Sequence, residues 1–133
     1  MCYILIVEDN QANADLVIRT LRGAGYEVGH AVHGLEAAQI VQKKRPDLIL
    51  MDFDLPIIDG RNLLLLLRKQ LGGKLAPPFV ALTARTGDSD KQTAEQLGCA
   101  AFVGKPFLPD ELVKLIRQLL PPDTRTTQPI TSE

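Results

Sequence analysis

Short apolar runs and longer amphipathic runs take turns along this chain. Tyr3 to Val7 is apolar and partly β-branched, which predicts a strand. Beyond it, Asn13, Leu16, Val17, Leu21 and Ala24 recur at helical spacing, and Gly23 and Gly25 mark the end of that helix. Glu27 to Val32 predicts a second, less apolar strand, and Leu35 to Lys44 a helix with Ala37, Ile40 and Val41 on one side. Asp47 to Met51 predicts a third strand, Asn62 to Leu71 a helix stopped at Gly72-Gly73, and Pro78 to Leu82 a fourth strand. Asp88 to Leu97 reads as a polar helix closed by Gly98, and Ala101 to Val103 as a short fifth strand. The last helix, Asp110 to Leu120, carries Leu112, Leu115, Ile116 and Leu119 at i, i+3, i+4 and i+7.

Strict alternation of strand and helix predicts an α/β fold with a parallel sheet covered on both faces. Strands buried on both sides are apolar throughout, and the first, third and fourth strands are. At about 100° per residue, Leu63, Leu64, Leu67 and Leu71 share one face of the third helix, with Leu65 nearly opposite. The fourth helix has only Ala94 and Leu97 as apolar anchors, which suits an element that shifts. Leu108 stands where a polar cap would accept from the fifth helix, so that helix is expected to start loosely on Pro109. Residues 1–121 read as one domain and residues 122–133, rich in Pro and Thr, as a mobile tail.

Length and composition agree. A chain of 133 residues with 45% hydrophobic residues suits one core. The formal net charge of −1 gives no electrostatic case for nucleic acid or an anionic membrane as partner. No apolar run approaches the roughly 20 residues of a membrane helix, and no signal peptide is legible, so a cytoplasmic location is expected. Cys2 and Cys99 lack metal-ligand spacing and read as a reduced pair, with Cys99 a small buried residue.

The chemistry gathers just past the strands, where open parallel sheets bind their ligands. The first strand leads into Glu8-Asp9, the third into Asp52, the fourth into Thr83-Ala84 and the fifth into Lys105-Pro106. Carboxylates about 4 Å apart repel by roughly 4 kcal/mol at an effective dielectric near 20. A divalent cation offsets that cost, and hard oxygen ligands favour Mg²⁺. Lys105, Thr83 and the Ala84 amide would complete an electrostatic cradle for a transferring phosphoryl group. Such a site either cleaves a small phosphate ester or phosphorylates its own aspartate. The second strand, at the sheet margin, offers His30 and His33 instead, away from the acids, and both read as surface residues.

The pieces ILIVEDN, PDLILMDFDLP, IIDG, FVALTA and GCAAFVGKPF, in this order and spacing, resemble the receiver domain of bacterial two-component response regulators from Tyr3 to about Leu120. The resemblance implies a flavodoxin-like sheet of five strands in the order 2-1-3-4-5 with five helices. It implies Asp52 as phosphoacceptor, Asp9 as a direct Mg²⁺ ligand, Glu8 as a ligand through water, and the backbone carbonyl of Asp54 completing the metal shell. Mn²⁺ is the alternative ion. Lys105 would bind the phosphoryl group, Thr83 would be the switch hydroxyl, and Phe102 the aromatic that follows it. The Lys105–Pro106 bond would be cis. The implied partner is a histidine kinase or a histidine phosphotransfer protein. The switched surface would lie near the fourth helix, fifth strand and fifth helix. Enzymatic action would be limited to the domain's own phosphorylation and dephosphorylation.

Four further readings bear on this chain. Asp54 and Arg85 stand two residues beyond Asp52 and Thr83, and an ion pair between them would obstruct the attacking water. Apolar residues followed by Asp52-Phe53-Asp54 also resemble the first motif of haloacid-dehalogenase-like phosphohydrolases, but that motif opens its chains and here falls on the third strand. A structural receiver without phosphorylation would have no need of Asp52, Thr83 and Lys105 together. Met1 just before the first strand and the short tail favour a stand-alone receiver over an excised domain.

Overall fold

The computed structural model describes residues 2–53, 60–84 and 87–120, with only the main chain at 60, 61 and 74. Five parallel strands pair in the order β2-β1-β3-β4-β5. They are β1 (Tyr3–Val7), β2 (Glu27–Ala31), β3 (Leu48–Asp52), β4 (Phe79–Thr83) and β5 (Ala101–Gly104). The helices are α1 (Gln11–Gly23), α2 (Gly34–Lys43), α3 (Gly60–Gln70), α4 (Asp88–Gln96) and α5 (Pro109–Leu119). A 3₁₀ turn at Gly73–Leu75, which hydrophobic periodicity does not signal, links α3 to β4. The expected fold class and strand order are therefore those observed.

Successive strand residues point to opposite faces, and this sheet uses both. Ile4 and Ile6, Leu48 and Leu50, and Val80 and Leu82 pack with Val17, Leu21, Leu112 and Ile116 from α1 and α5. Leu5 and Val7, Ile49 and Met51, and Phe79 and Ala81 pack with Ala37 and Val41 of α2, the α3 leucines and Ala94 of α4. Every residue of β1, β3 and β4 is buried, whereas β5 is half-buried throughout.

Leu63, Leu64, Leu67 and Leu71 are buried and Leu65 is exposed, as the helical angle requires; Leu66 is exposed with it. Helix α1 differs from its expected face. Its buried residues are Ala14, Val17 and Leu21, while Leu16 faces solvent. Leu16 lies roughly 140° from the middle of that stripe, so the larger side chain loses its place to Ala14. Asp52 and Thr83 are the last residues of β3 and β4 rather than the first residues after them. Helix α5 starts on Pro109 with Leu108 at its N-cap position and no side-chain cap, as expected. The Lys105–Pro106 bond is cis. Cys2 is buried and Cys99 half-buried, and no disulfide joins them.

Helix α4 is held differently from its neighbours. It begins at Gly87 without a side-chain cap, buries only Ala94 and has no basic residue in its last turn. Arg68 of α3 supplies what it lacks. The guanidinium donates to the carbonyl of Leu97, and to that of Gly98 at 3.1 Å, while lying over the Phe79 ring. Gly98 has φ near +83°, the left-handed conformation that favours glycine just past a helix C-terminus.

Candidate phosphoacceptor site

The strand register assembles the site. Val7 pairs with Met51, so Glu8 and Asp52 come side by side at the same edge. Asp52 pairs with Leu82, and Thr83 pairs with Gly104 immediately before Lys105. The Lys105 N–H donates to the Thr83 carbonyl at 2.8 Å, which ties the lysine's main chain to the hydroxyl-bearing residue. Glu8, Asp52 and Thr83 are the buried polar residues among those described. Dry apolar strands thus deliver two carboxyl groups and a hydroxyl to a site nearly free of solvent, at a desolvation cost that partners must offset.

Lys105 Nζ lies 3.1 Å from Asp52 Oδ1 and 3.4 Å from Glu8 Oε1. Burial disfavours the ammonium, but the hydrogen bond and charge of Asp52, with those of Glu8, outweigh it and hold the lysine pKa above its ordinary value. Glu8 is pushed from 4.5 to about 8, first by burial and then by the hydrogen bond and negative charge of Asp52. Lys105 and the Asn10 N–H, 3.3 Å from Glu8 Oε2, oppose that rise. The neighbouring carboxyl groups thus oppose one another more than Lys105 compensates, and the cost falls on ionising Glu8.

Carboxylate oxygens of Glu8, Asp9 and Asp52 lie within 4.8 Å of one another. This all-oxygen donor set, with its mutual repulsion, fits a hard divalent cation such as Mg²⁺. Side chains of Glu8, Asp9, Asp52 and Lys105 come together, and the strand register sets Thr83 at the same edge. Ala84 follows Thr83 at the exposed rim, and Phe102 is half-buried against the α3–α4 side of the core. Asp54 and Arg85, and with them the expected gate, lie outside the described residues, as does the segment 122–133.

A model of the response regulator receiver domain matches residues 4–117. The chain belongs to the response regulator receiver family. The polar-differentiation response regulator DivK of Brucella anthropi is 33% identical over 117 residues, covering 88% of this chain and 94% of that protein. The chemotaxis protein CheY4 of Vibrio cholerae superposes with a TM-score of 0.83 at 34% identity, covering 90% of this receiver and 99% of that chain. The receiver domain of the sensor histidine kinase PA1611 of Pseudomonas aeruginosa, solved with magnesium in its active-site cleft, matches with a TM-score of 0.78 at 34% identity. That match covers 89% of this receiver and 96% of that domain. Other curated relatives are longer, and the receiver spans between 50% and 59% of their length. Family membership across nearly the whole chain sets aside the phosphohydrolase alternative. Receiver domains are signalling modules of two-component systems, and the family's phosphoryl donors are histidine kinases or phosphotransfer proteins. Among the described residues, no helix is long and apolar enough to cross a membrane.

Two contacts were not legible as site features. One is the Arg68 clamp on α4. The other is His30, whose expected place was the surface. It lies in β2, half-buried, with Nε2 at 2.8 Å from the Glu8 carbonyl oxygen. The available signal was topological: in the order 2-1-3, β2 is the neighbour of the strand that carries Glu8. His33 caps α2 instead, its Nδ1 accepting from the Glu36 N–H at 3.1 Å.

Proposed function

We propose that this receiver takes a phosphoryl group from the phosphohistidine of a histidine kinase or phosphotransfer protein onto Asp52. The observation that carries the reading is the Lys105 ammonium 3.1 Å from Asp52 Oδ1, beside a buried Glu8 and an adjoining Asp9. In the transfer, the phosphorus–nitrogen bond to imidazole breaks as a phosphorus–oxygen bond forms to the Asp52 carboxylate. The departing imidazole nitrogen takes up a proton. Strand β3 holds the nucleophile rigid, so the entropy of alignment is spent in folding rather than in the reaction. Lys105 orients the carboxylate and stands ready to neutralise a phosphoryl oxygen. The Thr83 hydroxyl and the Ala84 N–H would donate to the remaining oxygens, and Phe102 would follow Thr83 as it moves. The resulting change is read at α4, β5 and α5.

Asp9, Asp52 and the Asp54 backbone carbonyl would hold Mg²⁺, or Mn²⁺ in its place, with Glu8 acting through water. The bound ion supplies charge neutralisation for the phosphoryl oxygens. The receiver catalyses only its own phosphorylation and dephosphorylation, in the cytoplasm, as a domain of residues 1–121 followed by a tail. It has no role for nucleic acid or membrane in that step.

Incubating the purified chain with Mg²⁺ and a small acyl phosphate donor tests this. One acid-stable, base-labile phosphoryl group should appear in the intact mass, be lost in Asp52→Asn and be reduced in Lys105→Ala. An unmodified wild-type chain under these conditions overturns the reading. Followed over time, the same assay should show faster loss of the phosphoryl group in Arg85→Ala, and an unchanged rate removes the Asp54–Arg85 gate.

A further inference from the structure

The main-chain ladder between β1 and β2 ends one residue too early to serve the Glu8 carbonyl. Val7 pairs with Ala31 as the last partners, and the Glu8 N–H donates to the Ala31 carbonyl at 3.0 Å. One further step of a parallel ladder would bring the His33 N–H to the Glu8 oxygen. The chain turns away first. The Val32 N–H donates to Glu36 Oε1 at 2.8 Å, and His33 becomes the N-cap of α2. Among the described residues, no main-chain N–H reaches the Glu8 oxygen. The imidazole of His30 stands in, with Nε2 at 2.8 Å. A carbonyl oxygen only accepts, so Nε2 carries the hydrogen.

This bond acts on the peptide group that joins Glu8 to Asp9. The plane of that group sets the direction in which Asp9 leaves the main chain. Asp9 is exposed, and Asn10 after it is the N-cap of α1, accepting from the Asn13 N–H at 3.0 Å. The two acids therefore sit on a three-residue bend fixed at its far end by the Asn10 cap and at its near end by His30. Without the imidazole, the Glu8 carbonyl would be free to turn toward water, taking the 8–9 peptide with it.

We propose that His30 is a positioning residue for the cation-binding acids, its Nε2–H locking the Glu8–Asp9 peptide so that both carboxylates face Asp52. The proposal rests on the reading that these acids hold Mg²⁺ for phosphoryl transfer. Outer partners of this kind typically change metal affinity about 10- to 100-fold when removed.

The test is calorimetric titration of Mg²⁺ into the full chain, for the wild type and for His30→Gln, His30→Phe and His30→Leu. The glutamine amide nitrogen reaches the same place as Nε2 and should keep wild-type affinity. Phe and Leu cannot donate, and each should bind Mg²⁺ about 10- to 100-fold more weakly. Thermal stability measured without Mg²⁺ should stay close to wild type in at least one of them. In the acyl phosphate assay, the non-donors should need more Mg²⁺ for half-maximal labelling yet reach the wild-type rate at saturation. A wild type that is labelled, with a folded non-donor variant binding Mg²⁺ as tightly, overturns the role of His30. A wild type that neither binds Mg²⁺ nor accepts phosphate overturns the functional reading beneath it, so the two failures are distinct.

Discussion

Helices α1 and α4 each follow a strand that delivers residues to the site, yet they are anchored by opposite means. Helix α1 follows Glu8 and Asp9, is capped by its own Asn10, and sinks Ala14, Val17 and Leu21 into the core. Helix α4 follows Thr83, starts without a side-chain cap and buries Ala94 alone. Its C-terminal end is held by a guanidinium borrowed from α3. Helix α4 packs beside the half-buried β5, whereas the strand leading into α1 is wholly buried. The acids that would grip a cation therefore ride on the frame, while the hydroxyl and the half-buried Phe102 border an element with few and polar attachments. Elements that switch are drawn from the low-stability end of a fold, and here the difference is written in caps and buried side chains.

The largest expected effect comes from the frame. Leu21→Ala should cost about 2 to 5 kcal/mol of global stability, the range for emptying a tightly packed leucine site. Urea denaturation measures it, and a loss below about 1 kcal/mol would mean α1 is no better anchored than α4.

Next in size is the pH dependence of the apoprotein. Glu8 takes up its proton near pH 8 when folded and near 4.5 when unfolded. Between those values the folded state holds the extra proton, so this group's contribution is fully present below about 4.5 and fades as pH rises toward 8. Stability of the Mg²⁺-free protein should fall across that window. Glu8→Gln should flatten the slope, and saturating Mg²⁺ should do so in the wild type. A pH-independent midpoint from 5 to 8, within the window set by those two values, would show that Glu8 is not raised.

The smallest global effect and the most local one belongs to Arg68→Ala. Removing two bonds whose carbonyls water can then reach should cost about 0.5 to 1.5 kcal/mol. Most of it should appear as local opening. Hydrogen exchange should speed up in α4 amides while those of α1 stay at the wild-type rate. Equal acceleration in both helices would mean that α4 has no separate opening.

The sequence by itself determined the α/β class, the element order and the carboxyl, hydroxyl and ammonium groups of the site. Those features are local or periodic. An apolar run such as Leu48 to Met51 is a strand wherever it pairs, and a group at its end lands at the sheet edge because strands are straight. The tertiary structure alone decided three things. It chose Ala14 over Leu16 for the buried stripe of α1, because Ala14 shares the helix face of Val17 and Leu21 and Leu16 does not. It set the Glu8 proton near pH 8, because burial and the Asp52 charge act only once β1 and β3 are adjacent. And it joined His30 to Glu8 and Arg68 to Leu97, contacts across 22 and 29 residues of chain. Hydrophobic period carries no information about such pairs, since a polar side chain's partner is fixed by sheet register and helix rotation, not by its own neighbours in sequence.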